Sequence, residues 1–113
     1  ASQEAVYNVV WSNADARALD EDGKLASVGS TVDEMEATYT NSIGADALRG
    51  YWQDPSFDPA QRAFYYARVM EIPTPRWLAY DRKNYDLYDE MPEDVRYSSQ
   101  ERAYGSPIWY SPR

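Results

Sequence analysis

Several short runs of this chain alternate hydrophobic and polar side chains, a pattern that is typical of β-strands. The first run covers residues 5–12, AVYNVVWS, and combines β-branched and aromatic side chains. Two further runs follow at residues 36–43, EATYTNSI, and at residues 46–54, DALRGYWQD. We predict a strand for each of these three segments.

The strongest strand pattern lies in residues 62–72, RAFYYARVMEI, where both faces are largely apolar. Two apolar faces are typical of a strand at the centre of a sheet or covered on both sides. We therefore predict an interior strand in which Tyr66 and Val69 are mostly buried. Arg68 lies in the middle of this run, and we expect a structural ion pair for it, because a buried guanidinium needs a partner.

The chain that follows this strand has a less regular pattern. Pro73 and Pro75 are expected to end the strand, because proline cannot donate a ladder hydrogen bond. Residues 77–91 repeat aromatic side chains without a helical or strand period, which predicts a short helical turn or irregular coil. Residues 92–105 then continue as a linker, so the irregular aromatic segment is assigned to about residues 73–103.

The final apolar run, SPIWYSP, is bounded by prolines and predicts a closing edge strand at about residues 105–110. Because strand neighbours alternate, Ile108 and Tyr110 should point to one face and Trp109 to the other. The strand predicted from RAFYYARVMEI is the neighbour that we expect for it, since both segments are apolar.

Length and composition agree with these elements. The 113 residues fit one domain, and with 11 tyrosines and 4 tryptophans the aromatic rings must supply much of its core. The scarcity of leucine and isoleucine favours a sheet protein. We predict a mainly β fold for residues 1–113, in the form of a small antiparallel sandwich-like single domain with long loops and at most short helical turns.

Charge and residue types narrow the chemistry. The net charge of −8 repels phosphate backbones and anionic lipid, so neither nucleic acid nor a membrane is expected as a partner. Histidine and cysteine are both absent, which removes the commonest general base, the commonest metal ligands and thiolate catalysis. No catalytic residue, metal ligand or cofactor is therefore predicted for this chain.

Two acidic motifs are better explained as turns than as metal sites. If LDEDG belonged to a calcium loop, Ala18 and Gly29 would hold its first and twelfth ligand positions, and neither has a carboxylate. Asp54 and Asp58 each precede a proline, and we expect their side-chain oxygens to cap turns.

Three segments are jointly recognisable: GSTVDEMEATYTNSIGADAL, YWQDPSFDPAQRAFYYARVMEIPTPRW and QERAYGSPIWYSP. In this order they resemble the C-terminal end of large bacterial proteins known as domain of unknown function 3604. The likeness extends from about Val6 to Pro112. The resemblance implies longer parent proteins whose N-terminal parts look like the polymerase-and-histidinol-phosphatase superfamily of metal-dependent hydrolases, with histidine-rich motifs for divalent metals.

The resemblance implies that this chain is a non-catalytic C-terminal accessory domain or fragment of such a hydrolase. Its expected partner is the N-terminal hydrolase domain of the parent, with self-association as the second partner considered. The compartment is not identified, because a periplasmic, a secreted and a cytoplasmic parent are all compatible with the sequence.

No catalytic role carries over to single residues, so the candidates are cationic and indole side chains suited to binding or docking. These candidates are Arg68, Arg76, Trp77, Arg102 and Trp109. The two tryptophans, together with the tyrosines of residues 80–88, form the predicted docking patch.

The rival hypothesis is a carbohydrate- or ligand-binding β-module that uses exposed aromatic rings. Such a module needs several coplanar rings in solvent, whereas an accessory domain buries its rings or shows one docking patch. An autonomous enzyme based on a carboxylate pair is the least favoured hypothesis.

Overall fold

The computed structural model describes residues 3–113, which form four short strands and one helix. The elements are β1 (Ala63–Tyr65), β2 (Arg68–Pro75), α1 (Trp77–Asn84), β3 (Ser98–Tyr104) and β4 (Ile108–Tyr110). β1 pairs with β4 and β2 pairs with β3, so the chain contains two small antiparallel sheets. The predicted mainly β fold is confirmed.

The two sheets follow each other along the same two chain segments and form one long antiparallel ribbon. β1 and β2 supply one side of the ribbon, and β3 and β4 supply the other. Between the sheets the Gly105 amide donates a 2.8 Å hydrogen bond to the Ala67 carbonyl, which carries the ladder across the break. The ribbon thus joins residues 63–75 to residues 98–110.

The C-terminal strand pairs where the sequence predicts it. Trp109 lies opposite Phe64, and Ile108 and Tyr110 lie opposite Tyr65 and Ala63. The predicted neighbour of the closing strand is therefore confirmed, and so is the strand character of most of residues 62–72. The expectation that this strand is interior is wrong, because Tyr66 is 39% exposed and Val69 is 56% exposed.

The prolines do not end the second strand, contrary to the sequence prediction. β2 continues through Pro75, which pairs with Ser98, and the Arg76 amide then donates to the Tyr97 carbonyl at 2.8 Å. Alternate amides of a strand point in opposite directions, so the positions of Pro73 and Pro75 face away from β3. The absence of an amide N–H at these two prolines therefore removes no hydrogen bond from the β2–β3 ladder.

Helix α1 begins directly after this strand. Arg76 is its N-cap residue with an extended backbone, and the Ala79 amide donates to the Arg76 carbonyl at 2.9 Å. Leucine, alanine, arginine and lysine within the helix are good helix formers. Arg82 and Lys83 lie in the last turn, where positive charge interacts favourably with the helix dipole.

The three strands predicted in the first half of the chain are wrong. Residues 5–12, 36–43 and 46–54 form turns, bends and extended coil in the structure. An alternating pattern identifies an amphipathic segment, but a strand also needs a partner ladder. Within these three segments, all of them described, the β contact is a single isolated bridge from Thr38 to Asp33. The polar run SSQERAY, predicted as linker, forms strand β3 instead, because β2 supplies that ladder.

The molecule is extended and buries very little of its own apolar surface. Its principal extents are 62 × 33 × 26 Å and its radius of gyration is 19.1 Å. A compact domain of this length has a radius of gyration of about 13 Å. Among the described residues, no large side chain is fully buried, and the buried hydrophobic residues are Ala37 and Ala79.

Candidate functional site: an exposed aromatic face

One face of the ribbon carries a continuous row of aromatic rings. The Trp109 ring lies 5.1 Å from Phe64, Phe64 lies 6.3 Å from Tyr66, and Tyr66 lies 6.2 Å from Tyr104, measured between centroids. We call these four side chains the aromatic face. The rings are between 39% and 73% exposed, so solvent reaches all four of them.

The aromatic face ends in a pair of arginines on the same side of the ribbon. Arg68 lies opposite Tyr104, and Met70 lies opposite Arg102. Directly opposed residues of an antiparallel ladder project to the same side, so both guanidinium groups follow the ring row. We call Arg68 and Arg102 the basic end of this face.

The opposite side of the ribbon is partly covered by the chain that precedes β1. The Phe57 ring packs edge to face on Tyr110 with 4.9 Å between centroids, and the Tyr110 hydroxyl donates to the Pro59 carbonyl at 2.9 Å. The Trp52 ring lies 6.1 Å from Tyr65. The two sides therefore differ, since Phe57 and Trp52 pack on rings of one side, whereas the four rings of the aromatic face stay 39% to 73% exposed.

Two aspartate turns hold this cover in place. The Asp54 Oδ1 atom accepts from the Ser56 amide at 2.8 Å, and the Asp58 Oδ1 atom accepts from the Ala60 amide at 2.9 Å. The predicted capping role of both aspartates is confirmed. The LDEDG segment also forms a turn, in which Asp20 Oδ1 accepts from the amides of Asp22 and Lys24.

Asp54 also changes the acidity of a ribbon side chain. The Tyr65 hydroxyl donates a 2.7 Å hydrogen bond to Asp54 Oδ2. This hydrogen bond raises the pKa of Tyr65 above its ordinary value, with smaller contributions from desolvation and from the carboxylate charge. The contact anchors the cover to β1.

A second segment, residues 33–38, is held in place by side-chain hydrogen bonds at the helix end of the ribbon. Residues 33–38 form a tight turn in which Asp33 Oδ1 accepts from the Met35 and Glu36 amides, both at 3.0 Å. Ala37 has a φ of 53°, in the left-handed region that side chains other than glycine seldom adopt. Such a backbone persists only where its surroundings hold it.

Side chains from α1 and the following residues hold this turn through its carbonyl oxygens. Glu34 accepts from Arg82, Met35 accepts from the Tyr88 hydroxyl at 3.0 Å, and Glu36 accepts from Lys83 at 3.0 Å. The Arg82 guanidinium is largely buried and lies 3.7 Å from the centroid of the Tyr97 ring, a cation–π contact. Arg82 therefore has a structural role in fixing the turn.

An open groove of about 490 Å³ lies between the loop after Trp11 and the β2–β3 part of the ribbon. Its lining mixes both charges with apolar groups and includes Arg17, Asp20, Lys24, Leu25, Met70 and Gln100. The Arg17 guanidinium is committed to the loop itself, since it donates to the carbonyls of Ser12 and Ala26. The hydrogen bonds of Arg17 therefore stabilise the loop that forms one wall of the groove.

Residues 3–113 contain no group of three or more acidic side chains that could hold a metal ion. Over the same residues, no helix has the length and apolarity needed to cross a bilayer.

The predicted site residues lie at separate places. Trp77, 67% exposed, and Arg76 lie at the start of α1, whereas Trp109 lies at the opposite end of the ribbon. The predicted docking patch, which combined both tryptophans, is therefore divided. Arg68 and Arg102 come together at the basic end, and Arg68 is exposed rather than buried among apolar neighbours.

The sequence does not predict the aromatic face, because the pattern around Phe64 and Tyr66 favours a core strand and Tyr104 belongs to the predicted linker. The alternation of RAFYYARVMEI identified the shared side of these rings but not its exposure. Arg82 was also missed, since a cation in the last turn of a helix is ordinarily a solvated residue.

The ribbon and its aromatic face define a mainly β chain with an exposed aromatic surface. A family model described as Protein of unknown function (DUF3604) matches residues 1–112, and the chain belongs to this family. No curated protein and no solved structure matches the chain.

Proposed function

We propose that this chain is a non-catalytic accessory region at the C-terminal end of a bacterial metal-dependent hydrolase, and that it docks on the globular hydrolase domain. The hydrolase assignment comes from the resemblance of the family's longer members to histidinol-phosphatase-type enzymes. The observation that supports the accessory role is the small core: over residues 3–113 the buried hydrophobic residues are Ala37 and Ala79.

The residues of this chain do not fit the divalent metal of such a hydrolase. The chain has no histidine or cysteine, and its described carboxylates do not converge in groups of three. Metal binding and acid–base chemistry therefore belong to the hydrolase domain in this proposal, and the accessory region contributes a surface.

The complete reading frame of the gene tests the hydrolase part of the proposal. We expect it to encode a histidine-rich domain before Ala1, and we expect the purified longer protein to hydrolyse phosphate esters with a divalent metal. A frame without such a domain would contradict the proposal.

The 113-residue chain provides the matched control for that assay. We expect it to show no turnover and no tight binding of zinc or manganese in calorimetry. Sub-micromolar metal binding, together with turnover that is lost when one carboxylate is removed, would assign the activity to this chain instead.

A carbohydrate-binding module is the second candidate, and the exposed ring row is the observation that favours it. Exposed aromatic rings stack on sugar faces, and four such rings follow each other here. Calorimetry with soluble β-glucan and xylan tests this candidate. Binding that is lost in Trp109→Ala but kept in Tyr51→Ala, where the substituted ring is 86% exposed and outside the aromatic face, would support it.

A further inference from the structure

We propose that the aromatic face is the surface by which this chain docks on a globular protein domain, and that this domain presents an apolar surface with carboxylates opposite the basic end. The identity of that domain as the hydrolase part of the same polypeptide rests on the proposed function. The choice of this face and the chemistry of its partner rest on the ribbon itself.

The extended shape indicates a partner of protein size. The radius of gyration of 19.1 Å exceeds by about half the 13 Å or so of a compact domain of this length. A two-stranded ribbon is marginally stable in water unless further strands or a packed layer cover one side. On the cover side, Phe57 and Trp52 supply part of such a layer. On the other side the loop of residues 17–28 reaches the ribbon at Met70, and the four rings of the aromatic face stay exposed.

The exposed area of this face suits a protein contact. A fully exposed aromatic side chain offers roughly 150–250 Å². With Phe64 at 54%, Tyr66 at 39%, Tyr104 at 59% and Trp109 at 73% exposure, the four rings leave on the order of 450 Å² uncovered. Met70 and the two arginine stems enlarge this area toward the roughly 800 Å² per partner of a standard protein interface.

Ring orientation argues against a flat sugar chain as the occupant. Phe64 and Tyr66 are nearly parallel at 11°, but Trp109 is tilted by 35° from Phe64 and Tyr104 by 32° from Tyr66. A planar polysaccharide face cannot stack on all four rings at once, whereas side chains of a protein surface can fill the spaces between tilted rings.

The charges on this side of the ribbon favour a different domain, rather than a second copy of this chain, as the docking partner. The basic end adds two arginines to an otherwise uncharged row of ribbon side chains, and Asp20 and Lys24 lie beyond it, on the groove next to Met70. A second copy docked through the same face would bring two more arginines and no strand carboxylate to the contact, together with a further net charge of −8. A domain with carboxylates opposite Arg68 and Arg102 meets this face with opposite charge.

Hydroxyl-radical footprinting of the longer protein and of the 113-residue chain tests the proposal. In the longer protein we expect the four rings of the aromatic face to be oxidised several-fold more slowly than in the chain alone. The variant Phe64→Ser with Trp109→Ser should abolish the protection of Tyr66 and Tyr104 in the longer protein. The control Tyr51→Ser removes a ring that is outside this face and more exposed than Phe64 or Trp109, and it should leave the protection unchanged.

A charge variant keeps the test decisive if the double serine variant does not fold. Arg102→Glu alters an exposed strand side chain and should reduce the protection of Tyr104 while far-ultraviolet circular dichroism stays unchanged. Equal oxidation in the longer protein and in the chain would overturn the docking proposal, whatever the activity of the longer protein.

Other outcomes would identify a different binding partner for the aromatic face. Protection that disappears on dilution would assign the face to a second copy, and protection that requires added polysaccharide would assign it to a sugar; either result overturns the proposal. A preceding domain that protects the face but is not a hydrolase would overturn the proposed function and leave the docking surface in place. A reading frame without any further domain would overturn both.

Discussion

The Tyr65 hydroxyl and the Asp54 carboxylate couple a strand of the ribbon to the chain that covers it. The 2.7 Å hydrogen bond between them raises the pKa of Tyr65, because ionising the phenol would break the bond and place two negative charges side by side. A raised pKa in the folded state means that this bond stabilises the fold at every pH below the ordinary tyrosine value of about 10. The stabilisation is lost as the pH rises through the raised folded pKa.

We therefore expect the pKa of Tyr65 to lie above the ordinary tyrosine value in an alkaline titration followed by carbon NMR of its phenol ring. The variant Asp54→Asn should return its midpoint toward the ordinary value, and Tyr51→Phe should leave it unchanged. An unaltered Tyr65 midpoint in Asp54→Asn would show that the hydrogen bond is not the cause.

Gly44 gives a second prediction at the scale of a single residue. Its φ is +81°, and an added Cβ would lie 2.6 Å from the Ile72 Cγ2 atom of β2. Gly44→Ala should therefore incur backbone strain of about 1–2 kcal/mol and a steric cost of about 1–3 kcal/mol. Gly23→Ala is the matched control, because Gly23 has a φ of +75° with no atom within 4 Å of the added Cβ.

The difference between the two glycine variants isolates the contact with Ile72. We expect it to appear as a loss of hydrogen-exchange protection in β2 that is larger in Gly44→Ala than in Gly23→Ala. Equal losses would mean that residue 44 does not pack on the ribbon.

At the scale of elements, β4 is the part of the tail that the rest of the chain depends on. Deleting residues 106–113 removes the ladder partner of β1 and the Tyr110 contacts with Phe57 and Pro59. We expect hydrogen-exchange protection to be lost over residues 54–65. The β2–β3 ladder and the turn held by Arg82 involve none of the deleted residues, so they should keep their protection.

Proteolysis gives an independent measurement of the same deletion. Cleavage should become fast in the Asp-Pro turns and stay slow in residues 68–104. An unchanged digestion pattern would mean that the tail is an appendage that the cover does not need.

Whether the sequence predicts an element depends on whether the interactions that stabilise this element are local or long-range. The strand of RAFYYARVMEI and the aspartate turns follow from local patterns, because alternation and side-chain capping act over a few residues. The pairing of this strand with the tail is long-range, and it was predicted from the apolar character that the two segments share. The failure at residues 5–12 has a different cause, since no partner ladder exists for that segment in the structure. The polar strand β3 shows the converse, because its partner β2 determines its conformation.

The aromatic face could be predicted only in part for a related reason. Period-two alternation placed Phe64, Tyr66 and Arg68 on one side, as the ring contacts and register show. The exposure of a side chain depends on the packing of the whole molecule. An aromatic side chain that is buried in a core therefore has the same sequence pattern as one that is exposed on a binding surface.

At the scale of the whole molecule, the extended shape is directly measurable. Small-angle scattering of the 113-residue chain should give a radius of gyration near the 19.1 Å of the structure. A value near 13 Å would indicate that the chain collapses into a compact domain of ordinary density. The measurement needs a concentration series, because association of exposed aromatic surfaces would raise the apparent value.

The register of the ribbon also sets the order in which its halves can assemble. Pro75 and Ser98 are the paired residues closest along the chain, next to the helix, and Ala63 and Tyr110 are the farthest apart. The entropy lost on closing a loop grows with the length of the loop. Strand pairing therefore costs the least entropy at the helix end, and we expect it to begin there and to proceed toward β1 and β4. We expect the β1–β4 pairs to close last and to open first, so that the aromatic row is completed only in the final step of folding.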